Sequence, residues 1–100
     1  MKYKLIWTEI FVDQLRKILL YLIDNFSYQA AAKYRKFLDE QITTLQVLPY
    51  RGKEIELVGL KKCLYLISKK NIIFYRVDEE KKEVHLLFIA SANENYLNLL

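Results

Sequence analysis

Hydrophobic positions near the start of the chain change from a strand-like to a helix-like period. Residues 3–7 are rich in aromatic and β-branched side chains with partial period-two alternation, and they predict a short strand. Thr8 is the predicted N-cap of the helix that follows, because its hydroxyl can accept a hydrogen bond from a free N–H in the first turn. Apolar side chains then recur every three or four residues and define one helix face: Phe11, Leu15, Ile18, Leu22 and Phe26.

A second helical pattern follows a polar break at residues 24–27, where Asp, Asn and Ser favour a turn. Ser27 is the predicted N-cap of this helix, and Pro49 predicts its end because proline cannot continue a helix. The two helices have similar lengths and a short connection, which predicts an antiparallel αα-hairpin. The apolar face of the second helix consists of Ala30, Ala31, Tyr34, Phe37, Leu38, Ile42, Leu45 and Leu48.

The second half of the chain contains short apolar runs separated by polar turns. Three such runs predict the strands of an antiparallel meander: residues 63–67, 72–77 and 84–90. Residues 51–60 predict a loop or a weak edge strand, with Gly59 at a special backbone position. The predicted fold class is α+β, in the order β-α-α-β-β-β, with an N-terminal strand, a helical hairpin and a three-stranded meander that form one sheet with the hairpin on one face.

Composition narrows the class of protein. With 53% hydrophobic and 28% charged residues among 100 positions, the chain is expected to fold as a single domain over residues 1–100 with one modest core. No apolar run approaches the roughly 20 residues of a membrane span, and no signal peptide is evident at the N-terminus. The single cysteine excludes an internal disulfide and favours a reducing, cytoplasmic setting.

The sequence contains none of the established motifs for nucleotide binding, zinc-dependent hydrolysis or serine hydrolysis. His85 is the only histidine, which excludes a histidine-rich metal site, and no cofactor or metal is predicted. It lies within a predicted strand, where a structural role is the simpler interpretation and general acid–base catalysis is the alternative.

Basic residues suggest a different kind of site, although the net charge is only +4. Lys and Arg side chains can hold phosphates and stabilise the charge of a phosphoryl-transfer transition state, but they also occur in solvated turns and at protected sheet edges. Arg76 stands out because it interrupts an otherwise apolar and aromatic strand. The candidates for nucleic-acid or target binding are Arg51, Lys53, Lys62, Lys69 and Lys70, and the catalytic candidates are Lys61, Arg76, His85 and Tyr96, with Tyr75 as an alternative tyrosine.

Several local strings follow one another in a fixed order along nearly the whole chain. The most specific are Asp13-Gln14-Leu15, Gly59-Leu60-Lys61-Lys62 and Ile73-Phe74-Tyr75-Arg76-Val77-Asp78. Together they resemble the RelE/ParE toxin superfamily of bacterial type II toxin–antitoxin modules, and the long helical hairpin is similar to the ParE-like branch. The resemblance implies a growth-inhibiting toxin, of the kind linked to plasmid stabilisation, that a cognate antitoxin neutralises. Such toxins act on DNA gyrase or cleave mRNA, often on the ribosome, as metal-independent endoribonucleases.

Two positions depart from the family pattern. Lys61 lies where the family commonly has arginine, which grips a phosphate with two parallel hydrogen bonds. After the last strand the family often places a His or Arg pair, whereas this chain has only Ala, Ser, Asn and Glu at residues 90–95. This difference slightly favours gyrase over mRNA as the target. The alternative is a non-toxic family member that only binds its antitoxin, and both a homodimer and a toxin–antitoxin hetero-oligomer stay open as assemblies.

Overall fold

The computed structural model describes residues 2–57, 60–68 and 71–91, with the backbone alone at residues 57, 60–62 and 91. Two helices and five strands follow one another along this part of the chain. In chain order they are β1 (Lys4–Trp7), α1 (Glu9–Asn25), α2 (Tyr28–Thr44), β2 (Lys53–Leu57), β3 (Leu60–Ser68), β4 (Asn71–Asp78) and β5 (Glu83–Ser91). Neither described helix has the length and apolar character needed to cross a membrane.

Both helices begin at the hydroxyl residues that the sequence indicates. Thr8 Oγ1 accepts a hydrogen bond from the Phe11 N–H at 3.3 Å, and Ser27 Oγ accepts one from the Ala30 N–H at 3.0 Å. Thr8 also donates its hydroxyl proton to the Leu86 carbonyl oxygen at 2.6 Å, so the start of α1 is attached to β5. These contacts satisfy backbone donors that a helix start otherwise leaves without partners.

The five strands form one mixed sheet in the order β1-β5-β4-β3-β2. Strands β2 to β5 are antiparallel neighbours, whereas β1 pairs in parallel with β5, with Leu5 opposite Val84. The α+β fold class is therefore confirmed. The predicted order is incomplete by one strand, because β2 forms at the edge of the sheet within the segment interpreted as a loop or a weak edge strand. Ile55 is the buried residue in β2 amid exposed Lys and Glu, which explains the weak signal.

One face of the sheet packs against the helical hairpin, and we call it the helix-covered face. Its buried side chains, together with those that the helices contribute, form the larger hydrophobic core: Phe11, Leu15, Leu38, Ile42, Leu45, Leu64, Leu66, Ile73, Tyr75, Val84, Leu86 and Ile89. Burial of these side chains supplies the main driving force for holding the two layers together.

The opposite side of the sheet, which we call the second face, has its own smaller cluster of buried side chains. Because strand residues alternate between faces, the neighbours of Tyr75 and Val84 in β4 and β5 point to this side. The cluster contains Ile55, Cys63, Ile72, Phe74 and Ala90, with Tyr65, Leu87 and Phe88 packed against it.

Two residues predicted for buried helix faces are exposed instead. Phe26 is 69% exposed because it is the C-cap residue of α1 and lies beyond the last turn that faces the sheet. Leu48 is 60% exposed because α2 ends at Thr44, before the periodic pattern ends. The special backbone position predicted for Gly59 lies outside the described residues.

Candidate functional site

Arg76 and His85 lie side by side on the second face. They are register partners across β4 and β5, and the antiparallel ladder places such side chains about 5 Å apart at Cβ. Arg76 is exposed and forms no ion pair or side-chain hydrogen bond with any residue that the structure describes. A guanidinium without such a partner keeps its donors available for an external anion, so Arg76 is a strong binding candidate among the predicted residues whose side chains are described.

His85 is in a different situation because acidic side chains surround its ring. His85 Nε2 lies 3.1 Å from Glu83 Oε1, and both side chains are about one-fifth exposed, at 22% and 20%. Asp78, the register partner of Glu83, completes a group whose three ligand atoms lie within 4.8 Å of one another. Two carboxylates beside the ring make this end of the second face unfavourable for a bare phosphate, and they provide atoms that can ligate a metal ion.

Lys53 also belongs to the second face, since it is the register partner of Tyr65 at the start of β2. It is exposed and forms no ion pair with a described residue, like Arg76. Arg51, two residues earlier, is exposed too, but its Nη1 donates a hydrogen bond to Thr44 Oγ1. Lys53 can therefore extend a basic surface, whereas Arg51 is attached to the end of α2.

Tyr75, the alternative catalytic tyrosine, does not lie with Arg76 and His85. Its side chain is fully buried in the helix-covered core, on the face opposite to Arg76. The hydroxyl oxygen accepts a hydrogen bond from the Gly52 N–H at 2.9 Å, and burial raises the pKa of the phenol. The Tyr75 hydroxyl instead packs closely against Gly52, the residue before β2. A Cβ at Gly52 would lie 2.6 Å from the Tyr65 carbonyl oxygen and 2.6 Å from the Tyr75 hydroxyl.

Five candidate residues cannot be placed with the others. The backbones of Lys61 and Lys62 belong to β3, but their side chains lie outside the described atoms. The remaining three, Lys69, Lys70 and Tyr96, lie outside the described residues. Their assignment as catalytic or binding residues stays a prediction, and so does the assignment of the described candidates.

A polar cluster around Glu79 was not anticipated from the sequence. Glu79 Oε1 accepts hydrogen bonds from the Tyr3 hydroxyl at 2.7 Å and the Tyr50 hydroxyl at 2.5 Å, and Oε2 forms an ion pair with Lys82 at 2.8 Å. Lys82, followed by the tyrosine hydroxyls, lowers the pKa of Glu79 to about 2. The cluster joins three segments that are distant in sequence, so no local pattern could have revealed it.

Known proteins provide an independent comparison with this fold. A family model described as the ParE toxin of the type II toxin–antitoxin system parDE matches residues 5–96. The chain belongs to the ParE toxin family. No relative with detectable sequence similarity is found among the curated proteins.

Solved structures agree with the fold of this ParE family member. The chromosomal ParDE toxin–antitoxin system of P. aeruginosa matches with a TM-score of 0.76 at 20% identity, over 92% of this chain and 98% of that chain. The toxin–antitoxin complex RelBE2 of Mycobacterium tuberculosis matches with a TM-score of 0.65 at 20% identity, over 91% of this chain and 99% of that chain. The isolated RelE toxin of E. coli matches with a TM-score of 0.65 at 17% identity, over 97% of this chain and 92% of that chain. The resemblance to the RelE/ParE superfamily is thereby confirmed, with the ParE-like branch consistent with the family model.

Proposed function

We propose that this ParE family member is a growth-inhibiting toxin that acts on DNA gyrase and is neutralised by a cognate antitoxin. Membership of the ParE family and the likeness to toxins crystallised with antitoxins support the general assignment. The choice of gyrase over mRNA rests on the surroundings of His85. Glu83 and Asp78 add two negative charges beside the only histidine, where a nuclease needs to attract a phosphate.

Cleavage of mRNA is the second candidate because Arg76 and Lys53 are exposed on the same face, and neither pairs with an acidic residue in the described part of the chain. A phosphate backbone binds to such groups through charge-assisted hydrogen bonds. The sequence after Ala90 adds neither His nor Arg, so a cleavage mechanism has few groups to transfer protons. These observations support RNA binding more than RNA cleavage.

The test is induction of the full chain in bacteria, with and without its neighbouring small antitoxin gene. Arrest of growth that the antitoxin reverses is the expected result. Purified chain should then inhibit supercoiling by gyrase while leaving mRNA intact. RNA fragments with normal supercoiling would replace gyrase with mRNA, and unimpaired growth with verified soluble protein would leave the non-toxic antitoxin-binding alternative.

Arg76→Ala is the variant that connects the second face to this activity. We expect it to weaken growth arrest by at least about tenfold in plating efficiency, since loss of a charge-assisted hydrogen bond costs about 1.5–3 kcal/mol. Lys33→Ala is the matched control, because Lys33 is exposed on α2, away from the second face. Equal toxicity of the two variants would remove Arg76 from the target-binding surface.

A further inference from the structure

Three side chains with metal-binding atoms converge where β4 ends and β5 begins. Asp78, Glu83 and His85 each offer one ligand atom, and these atoms lie within 4.8 Å of one another. All three side chains are partly buried, and those of Glu83 and His85 are only about one-fifth exposed. Most surface acids are more exposed than this, so the group is partly shielded from water.

The backbone holds this arrangement in place. Glu83 and His85 are two positions apart in β5 and therefore share a face, and Asp78 is the register partner of Glu83. The connecting turn includes Lys82 with φ 53°, a left-handed conformation that closes the hairpin tightly. The Lys81 N–H donates to Asp78 Oδ1 at 3.1 Å, which orients the carboxylate and leaves its other oxygen available.

No Lys or Arg side chain that the structure describes forms an ion pair with either of the two carboxylates. The nearest candidates by register are Lys4, opposite Glu83, and Arg76, opposite His85. Neither forms an ion pair with Asp78 or Glu83, and Lys82 pairs with Glu79 instead. A divalent cation bound among these three side chains would be attracted by both carboxylates.

We propose that Asp78, Glu83 and His85 bind a divalent first-row transition metal ion such as Zn²⁺. One imidazole nitrogen and two carboxylate oxygens are a donor set that suits Zn²⁺ better than Mg²⁺, which prefers oxygen ligands alone. Zinc–ligand bonds of about 2.0–2.2 Å place neighbouring ligand atoms roughly 3–3.5 Å apart. The 3.1 Å between His85 Nε2 and Glu83 Oε1 already matches this spacing, and the ligand atom of Asp78 lies within 4.8 Å of both. Three protein ligands leave a coordination position for water.

Calorimetric titration of tag-free, full-length chain tests the proposal, with protein from cell-free synthesis so that toxicity does not interfere. We expect one equivalent of Zn²⁺ to bind. Mn²⁺ should bind more weakly, following the usual order of metal affinity, and Mg²⁺ binding should not be measurable. His85→Ala and Glu83→Gln should each weaken Zn²⁺ binding by at least about tenfold. Loss of a residue that only supports a ligand already lowers metal affinity by about that factor, so loss of a ligand should lower it at least as much. Glu80→Gln, an exposed acid of the same turn, should bind like the unchanged chain.

Two further measurements keep the test decisive. Circular dichroism shows whether each variant is folded, and Asp78→Asn replaces any variant that is not. The visible absorption of bound Co²⁺ reports ligation directly, and this spectrum should be lost in His85→Ala. Absence of binding at millimolar Zn²⁺, or equal binding by all variants, would overturn the proposed site.

The metal site and the gyrase target can fail separately. A bound cation would offset the two carboxylates that disfavour a phosphate, so the RNA-cleavage assay is run both in EDTA and in Zn²⁺. Cleavage only in Zn²⁺ would overturn gyrase as the sole target. Gyrase inhibition that is unchanged by EDTA would support the target assignment, while calorimetry alone decides the metal site.

Discussion

The two faces of the sheet differ in what they bury along the same strands. On the helix-covered face, Ile73, Tyr75 and Val84 continue an apolar core, and the buried Tyr75 hydroxyl has a backbone partner. On the second face, the apolar cluster that includes Phe74 gives way within two residues to Arg76 and then to Asp78. The first face therefore contributes mainly to stability, whereas the second combines a small core with the candidate site residues Arg76 and His85.

This difference explains how strand β4 can serve both purposes. Its alternating residues belong to opposite faces, so a change at Tyr75 disturbs the core and a change at Arg76 disturbs only the surface. Substitutions on the two faces should consequently separate loss of stability from loss of function.

The largest expected effect comes from the helix-covered core. Leu38→Ala should lower the free energy of unfolding by about 2–5 kcal/mol, because the fully buried side chain would leave a cavity between α2 and the sheet. Urea denaturation followed by circular dichroism measures this change. Leu48→Ala, at a side chain that is 60% exposed, should change stability by less than about 0.5 kcal/mol. Similar losses for both variants would contradict the placement of the core.

A smaller loss is expected where β2 approaches the core. Gly52→Ala should destabilise the fold by about 1–3 kcal/mol, since the added Cβ meets a backbone oxygen and the Tyr75 hydroxyl at 2.6 Å. Tyr75→Phe combined with Gly52→Ala should recover only part of this loss, because the Tyr65 carbonyl oxygen stays in place. Thermal denaturation of the single and double variants gives the comparison. An unchanged melting temperature in Gly52→Ala would show that the chain has more room at this point.

The helices and caps could be predicted because their signals are local. Spacings of three and four residues identify the buried positions Leu15 and Leu38, and the hydroxyls of Thr8 and Ser27 cap the helices as expected. Strand β2 gave a weak signal because Ile55 is flanked by charged residues. The parallel pairing of β1 with β5 joins residues about 80 positions apart, and no local pattern specifies such a partner.

The candidate site was less predictable for the same reason. The sequence singles out Arg76 and His85, and their spacing from neighbouring apolar residues suggests strands, but only the register makes them neighbours on one face. The sequence shows that Glu83 and His85 are two residues apart. Asp78 lies beside them only because the length and conformation of the turn make it the register partner of Glu83. The burial of Tyr75 could not be predicted, because a strand sequence gives two faces without indicating which one the helices cover.

The start of α1 offers a sharper measure of how the helices are fixed to the helix-covered face. Thr8→Ala should cost about 0.5–2 kcal/mol, because it removes both the N-cap and the hydrogen bond to the Leu86 carbonyl. Thr8→Ser keeps the hydroxyl and should retain most of that stability. Chemical denaturation distinguishes the two variants, and equal losses would mean that the Thr8 methyl group, and not its hydroxyl, makes the difference.

The smallest effect concerns acid pH and the exposed side chain of Glu79. Its pKa of about 2 in the folded chain is below the ordinary value of 4.5, so the unfolded state binds more protons between these values. The contribution of Glu79 is therefore complete above about pH 4.5 and is lost as the pH falls through about 2.

Glu79→Gln removes the titrating group, so its stability deficit relative to the unchanged chain should shrink as the pH falls across this window. Denaturation at several pH values measures the deficit, with Glu80→Gln as the control from the same turn. A deficit that stays constant with pH would show that the carboxylate acts through its hydrogen-bond geometry and not through its charge.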